Sequence, residues 1–183
     1  MKRKVYNNSE LIKKITISGL LLALFFVLPT VTGAIPEIGG ALCPMHIVAF
    51  LAGAFLGGLG GALLSFAAPI LRGLILGSPT LFPRGISMAA ELFAYALVFG
   101  LLVKLLPKKI GYVYVSLVSS MLVGRVVGGL MKLVLVALGV LPSYSFAAYF
   151  TAYFVETLPG MILHLIIVPP SVVGISRAMA KLK

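Results

Sequence analysis

The chain has 183 residues, 61% of them apolar, with only nineteen charged positions, where an ordinary soluble domain would carry about a quarter. A domain this small cannot hide so much apolar surface from water. The composition therefore excludes a soluble globule, a disordered tail and a disulfide scaffold, and leaves an integral membrane protein with apolar residues enough for five or six crossings of about 20 residues each.

The net charge of +11 is not a nucleic-acid footprint. Eleven of the 15 cations fall in three clusters beside apolar runs: Lys2, Arg3, Lys4, Lys13 and Lys14 at the start, Lys104, Lys108 and Lys109 in the middle, and Arg177, Lys181 and Lys183 at the end. That is the distribution of cytoplasmic loops, and it draws the chain to anionic headgroups. The single Cys43 leaves no internal disulfide to form.

In chain order, a first span is predicted over residues 15–31. Its basic start resembles a signal sequence, but no clean cleavage site follows, so it reads as a retained helix. Residues 32–44 form a loop. Residues 38–71 carry no charged side chain; as one helix they would measure about 51 Å, too long for a bilayer. The glycine cluster at 57–61 breaks them into two short helices, 45–57 and 61–76. Prolines at 79 and 83 mark a turn, and residues 85–103 give a fourth span. After Pro107 a long fifth span covers 110–141. Pro142 turns the chain into a sixth, 146–168, which Pro169 and Pro170 are expected to end, leaving 171–183 as a short basic exit helix.

The predicted fold is thus an all-α integral membrane protein, a compact bundle of six transmembrane helices in one domain, 1–183. The basic ends 1–14 and 171–183 are expected on the cytoplasmic side of the cell membrane that the helices cross. An even count keeps all three basic clusters on one side. No phosphate-loop pattern for ATP is present.

Apart from the flanking clusters and Glu10, seven charged residues remain: Glu37, Arg72, Arg84, Glu91, Arg125, Lys132 and Glu156. An ion in hydrocarbon costs about 2.5–3.5 kcal/mol on insertion scales and by default faces a cavity or a partner. The topology puts Glu37, His46, Arg72 and Arg84 at the outer end, Glu91 two turns into span four, Arg125 mid-span in five, and Glu156 a third of the way into six. Spacings of seven set Arg84 with Glu91, and Arg125 with Lys132, on shared faces. Tyr149, Tyr153, Glu156 and Gly160 form one stripe on span six.

This predicts a polar pocket in the outer half of the bundle, cationic on balance, suited to a small organic ligand with an acidic group and aromatic walls. Blander readings stand beside it. Arg84–Glu91 and Arg125–Glu156 can be structural ion pairs, and Arg72 and Arg84 can snorkel to headgroups. His46 can cap its helix, His164 can be a packed histidine, and the tyrosines can form an interfacial belt. Gly19 with Ala23, and Gly124 with Gly128, make small-residue faces for close helix approach, within the bundle for span five and toward a partner for span one.

Several stretches together resemble a known family. They are Cys43-Pro44-Met45-His46, Pro69-Ile70-Leu71-Arg72 leading to Leu81-Phe82-Pro83-Arg84, and Met88-Ala89-Ala90-Glu91-Leu92-Phe93-Ala94-Tyr95. Val123-Gly124-Arg125-Val126-Val127-Gly128 and Leu158-Pro159-Gly160-Met161-Ile162-Leu163-His164 complete them. The pattern resembles the substrate-binding S components of energy-coupling factor (ECF) transporters, which capture vitamins and related micronutrients.

The resemblance implies a transport subunit, neither an enzyme nor an ATPase, without cofactor or metal. It would bind substrate under the loop joining helices one and two and hand it inward with a membrane subunit and two ATPase subunits. Residues His46, Arg72, Arg84, Glu91, Tyr95, Arg125, Lys132, Tyr153 and Glu156 would meet the substrate. Glu37, Gly39 and Gly40 would belong to the lid, and Gly19 and Ala23 would match a docking pattern on helix one, with glycine in place of its first alanine. Pantothenate is the preferred ligand, then vitamin B6 or a thiamine-precursor pyrimidine. The alternatives from other classes are a self-contained secondary transporter or channel for a small organic anion, which would call for matching broken helices in its two halves, and a membrane enzyme, which would call for a metal cluster or an activated nucleophile.

Overall fold

The computed structural model describes residues 8–34, 40–143 and 145–181, and every regular element in them is helical. Helix α1 spans Asn8–Thr32, α2 Pro44–Leu56, α3 Gly58–Leu76, α4 Ile86–Leu105 and α5 Ile110–Ala137. A single turn, α6 (Phe146–Phe150), passes through a wide π turn at Thr151–Val155 into α7, Leu158–Lys181. Among the described residues, five of these helical stretches are long and apolar enough to cross a membrane, and Pro44–Leu56 is shorter. The chain is an all-α membrane protein.

The elements follow from local chemistry. Proline at the first position suits the start of α2, where the missing N–H would have had no partner. The break between α2 and α3 is a single residue, Gly57, at φ 82° and ψ 158°, a backbone conformation that side chains other than glycine resist. Behind it lies a seam of glycines. A Cβ on Gly53 would strike the Ala96 carbonyl, one on Gly61 the Ala52 carbonyl, and one on Gly100 the Gly53 carbonyl. Backbones of α2, α3 and α4 therefore touch directly. Helix α4 is the hub, packed most extensively on α5, α3 and α2.

The last helix departs from expectation. Pro169 and Pro170 do not end it; α7 runs through both to Lys181, so 171–183 is no separate exit helix. Each proline removes a rung of the hydrogen-bond ladder. That loss is offset by seating: Val168, Pro169 and Val172 are all buried in the core.

The core is aromatic at its centre. Phe50 meets Tyr95 at 5.1 Å, Phe99 at 5.5 Å and His164 at 5.7 Å between ring centroids. Helix α1 joins this core through the buried side chains of Leu21 and Phe25, with Ile17, Leu22, Leu24, Phe26 and Leu28 packed part-buried beside them.

Candidate functional site

The N-terminal ends of α2 and α4, the C-terminal half of α5 and the π turn before α7 converge on a cavity of about 510 Å³. His46, Arg84, Glu91, Arg125, Lys132, Tyr153 and Glu156 all line it, together with Gly40 and Cys43. Three basic side chains, Arg84, Arg125 and Lys132, face two acidic ones, Glu91 and Glu156, there. The chamber's size lies within the range of small-molecule sites.

Arg125 sits deepest, 3% exposed. One guanidinium nitrogen donates to Thr157 Oγ1 at 3.0 Å, the guanidinium carbon lies 5.1 Å from the Phe154 ring centre, and Nε has no hydrogen-bond partner. A buried guanidinium N–H without an acceptor is costly, and it leaves a donor for an incoming oxygen. The Tyr149 hydroxyl donates to the Arg125 carbonyl at 3.0 Å. Glu91, 7% exposed, accepts a short hydrogen bond from Tyr95 at 2.6 Å and lies 3.5 Å from His46 Nε2. Lys132 Nζ stands 4.4 Å from the Tyr153 ring centre. Arg84 and Glu156 are exposed at the rim.

Neither ion pair weighed as a structural alternative is formed among the described residues. Glu91 pairs with His46, and Arg125 bonds Thr157, while Arg84 and Glu156 make no salt bridge among the described residues. His46 does not cap α2 either; the cap position is Cys43, held in the left-handed region at φ 47°. The Cys43 carbonyl accepts from His46 N at 3.0 Å and from His164 Nε2 at 3.3 Å. Since a carbonyl can only accept, His164 carries its proton on Nε2. It is a packed histidine, 2% exposed, stacked 5.8 Å from His46.

Two expected residues lie outside the chamber. Arg72 lines a smaller neighbouring cavity of about 190 Å³ and donates to Phe26 O and Thr30 Oγ1, both at 3.2 Å, fastening α3 to α1. Tyr95 is buried beneath the floor and reaches the chamber only through Glu91. Of the lid residues, Glu37 and Gly39 lie outside the described residues, and Gly40 lines both cavities.

The sequence reading missed Thr157, although it follows Glu156 and stands four residues after Tyr153, whose carbonyl accepts its hydroxyl at 2.7 Å. The α5 glycines serve close approach within the bundle, as expected for span five, and their neighbours are residues of the site. A Cβ on Gly124 would strike the Tyr95 ring, and one on Gly128 would come 3.0 Å from the Tyr153 hydroxyl and 3.2 Å from Glu91 Oε2. The small face of α5 is therefore an internal seat for the residues of the site. The wide turn at Thr151–Val155, where Glu156 N–H reaches back to Thr151 O at 3.0 Å, interrupts the regular helix expected there; such bulges are frequent at functional sites.

A family model described as ECF transporter, substrate-specific component, matches residues 13–172. The chain belongs to this family. No match is found among curated proteins or among solved structures. As an ECF substrate-specific component it is a multi-pass membrane protein that captures substrate for an importer, and it is not an enzyme. The family implies partner ATPase and transmembrane subunits. Among the described residues, no group of three or more histidine, cysteine or acidic side chains could hold a metal ion in this S component.

Proposed function

We propose that the 510 Å³ chamber is the capture site for a small vitamin or vitamin precursor bearing an acidic group, with pantothenate first among the ligands and vitamin B6 or a thiamine-precursor pyrimidine next. The observation that carries this is the buried Arg125, with an unsatisfied Nε, in a lining with more cations than carboxylates. In this reading Arg125 and Arg84 take the ligand's carboxylate, Glu91, set by Tyr95, accepts from a hydroxyl or amide, and Tyr153 forms an apolar wall. Arg72 supports the site by holding α1 in place. Residues 32–44, with Glu37, Gly39 and Gly40, act as the lid.

Residues 1–183 act as one transmembrane unit. Counting the short α2 as a crossing gives six, with both termini and the 104–109 cluster cytoplasmic and the chamber facing outward. The grouping of helix ends supports this: the starts of α2 and α4 meet the later half of α5 at the chamber, the ends of α4 and α7 meet the start of α5 at the other side, and Arg72 joins the last turns of α3 and α1. Purified protein alone should bind pantothenate at one per chain by calorimetry, yet reconstituted liposomes should accumulate none until the ATPase and transmembrane subunits are added. Flux through the isolated chain would instead make it a self-contained secondary transporter. Mass spectrometry of the ligand that co-purifies distinguishes pantothenate from the other two candidates.

Gly19 and Ala23 are proposed to dock the transmembrane subunit. Both are exposed on α1, and a Cβ on Gly19 would meet nothing within 4 Å. Gly19→Leu with Ala23→Leu should cut co-purification of the transmembrane subunit at least tenfold while ligand binding stays unchanged. Undiminished co-purification would remove the docking role.

A further inference from the structure

A second cavity, larger than the polar chamber, lies elsewhere in the bundle. A groove of about 730 Å³ lies between the end of α4, the start of α5 and the last turns of α7. Because these helices alternate in direction, it opens at the opposite end of the bundle; Val103, on its wall, stands twelve residues beyond Glu91, about 18 Å along α4.

Its chemistry also differs. The walls are aliphatic, with Val103, Val113, Val172 and Val173, and the rim carries Lys108, Lys109 and Arg177 with no acidic side chain in the lining. All three cations are exposed. Beside the rim, Leu105 is 76% exposed and Ile110 52%, so the surrounding surface is apolar too. Gly174 leaves room on the α7 side: a Cβ there would meet nothing within 4 Å. A slot with oily walls and a one-signed basic mouth, between helix ends of a membrane protein, has the shape and polarity of an anionic phospholipid.

We propose that this groove binds one anionic phospholipid, its phosphate held by Lys108, Lys109 and Arg177 and its acyl chain lying past Gly174 along the valine walls. Charge complementarity decides the occupant. A zwitterionic lipid would bring a quaternary ammonium to a rim that offers only cations, and a soluble phosphate would leave the apolar walls uncovered. Basic pockets between helices at the cytoplasmic face are a recurrent mode of headgroup recognition. The inference is independent of the capture site, with which the groove shares no residue.

The test uses the full-length protein in detergent and native mass spectrometry with two probes of equal chain length, phosphatidylglycerol and phosphatidylcholine. One phosphatidylglycerol per chain should be retained, at least tenfold in preference to phosphatidylcholine. The triple variant Lys108→Gln, Lys109→Gln, Arg177→Gln should lose that preference. Gly174→Leu, which keeps every charge but fills the slot, should lower retention at least fivefold. Substituting exposed rim residues leaves the core intact, and one-per-chain binding of the capture-site ligand serves as a folding control. Equal retention of the two lipids would overturn the proposal, as would retention unaffected by either variant. Displacement by millimolar glycerol phosphate alone would also overturn it, in favour of a free-anion site. So would crosslinks from Lys109 that reach the transmembrane subunit while no lipid is retained.

Discussion

Arg125→Ala is expected to weaken ligand binding by 100-fold or more, equivalent to about 2.8 kcal/mol, with pantothenate as the titrant in a calorimeter. Truncating one member of a buried charge pair costs about 2–5 kcal/mol, and Arg125 is the most deeply buried cation of the chamber. Because the same side chain bonds Thr157 and covers Phe154, the variant also loosens α5 from α7. Arg84→Ala provides the cleaner comparison: an exposed rim residue should cost about tenfold in affinity and leave the melting temperature unchanged. If both variants bind like the parent, the chamber is not where the acidic group rests, whatever else the family membership implies.

Gly100→Ala should be among the most destabilising single-methyl changes in the molecule. The added carbon would overlap the Gly53 carbonyl and lie 2.7 Å from Gly58 Cα. Overpacking of this kind typically costs about 1–3 kcal/mol, and here the obstacles are backbone atoms that no rotamer change can move aside. Gly111→Ala is the matched control, since a methyl at that position meets nothing within 4 Å. There the higher helix propensity of alanine should leave stability equal or better by up to about 1 kcal/mol. Thermal unfolding of the two variants in the same detergent checks the contrast; equal melting temperatures would mean that the three helices do not approach as closely as described.

Much of this was readable before any coordinates. Ions are so costly in hydrocarbon that their positions along the chain report depth, and a fixed helical rise converts sequence number into height. Seven of the nine candidate contact residues accordingly line one chamber. The glycine cluster at 57–61 announced a break because no other residue tolerates so sharp a return.

What escaped the sequence depends on partners distant along the chain. Arg72 looks like any other charge in an apolar run until the α1 carbonyl of Phe26, 46 residues earlier, proves to be its acceptor. Pro169 and Pro170 read as a stop because local rules count lost hydrogen bonds but not the core burial that outweighs them. Charge and depth left open whether Arg84 with Glu91, and Arg125 with Glu156, were structural pairs, because charge and depth do not specify rotamer. His46 meets Glu91 and Thr157 meets Arg125 instead.

The seam joining Gly53, Gly58, Gly61 and Gly100 has a mechanical corollary. Where main chains already touch, there is no slack for sliding or tilting, since interiors so dense yield only in discrete rearrangements. The second, third and fourth helices thus act as a keel. Any breathing that admits a solute falls to the parts outside that glycine seam: the first helix, held by side-chain packing and the Arg72 guanidinium rather than by touching main chains, and the wide turn that carries Tyr153.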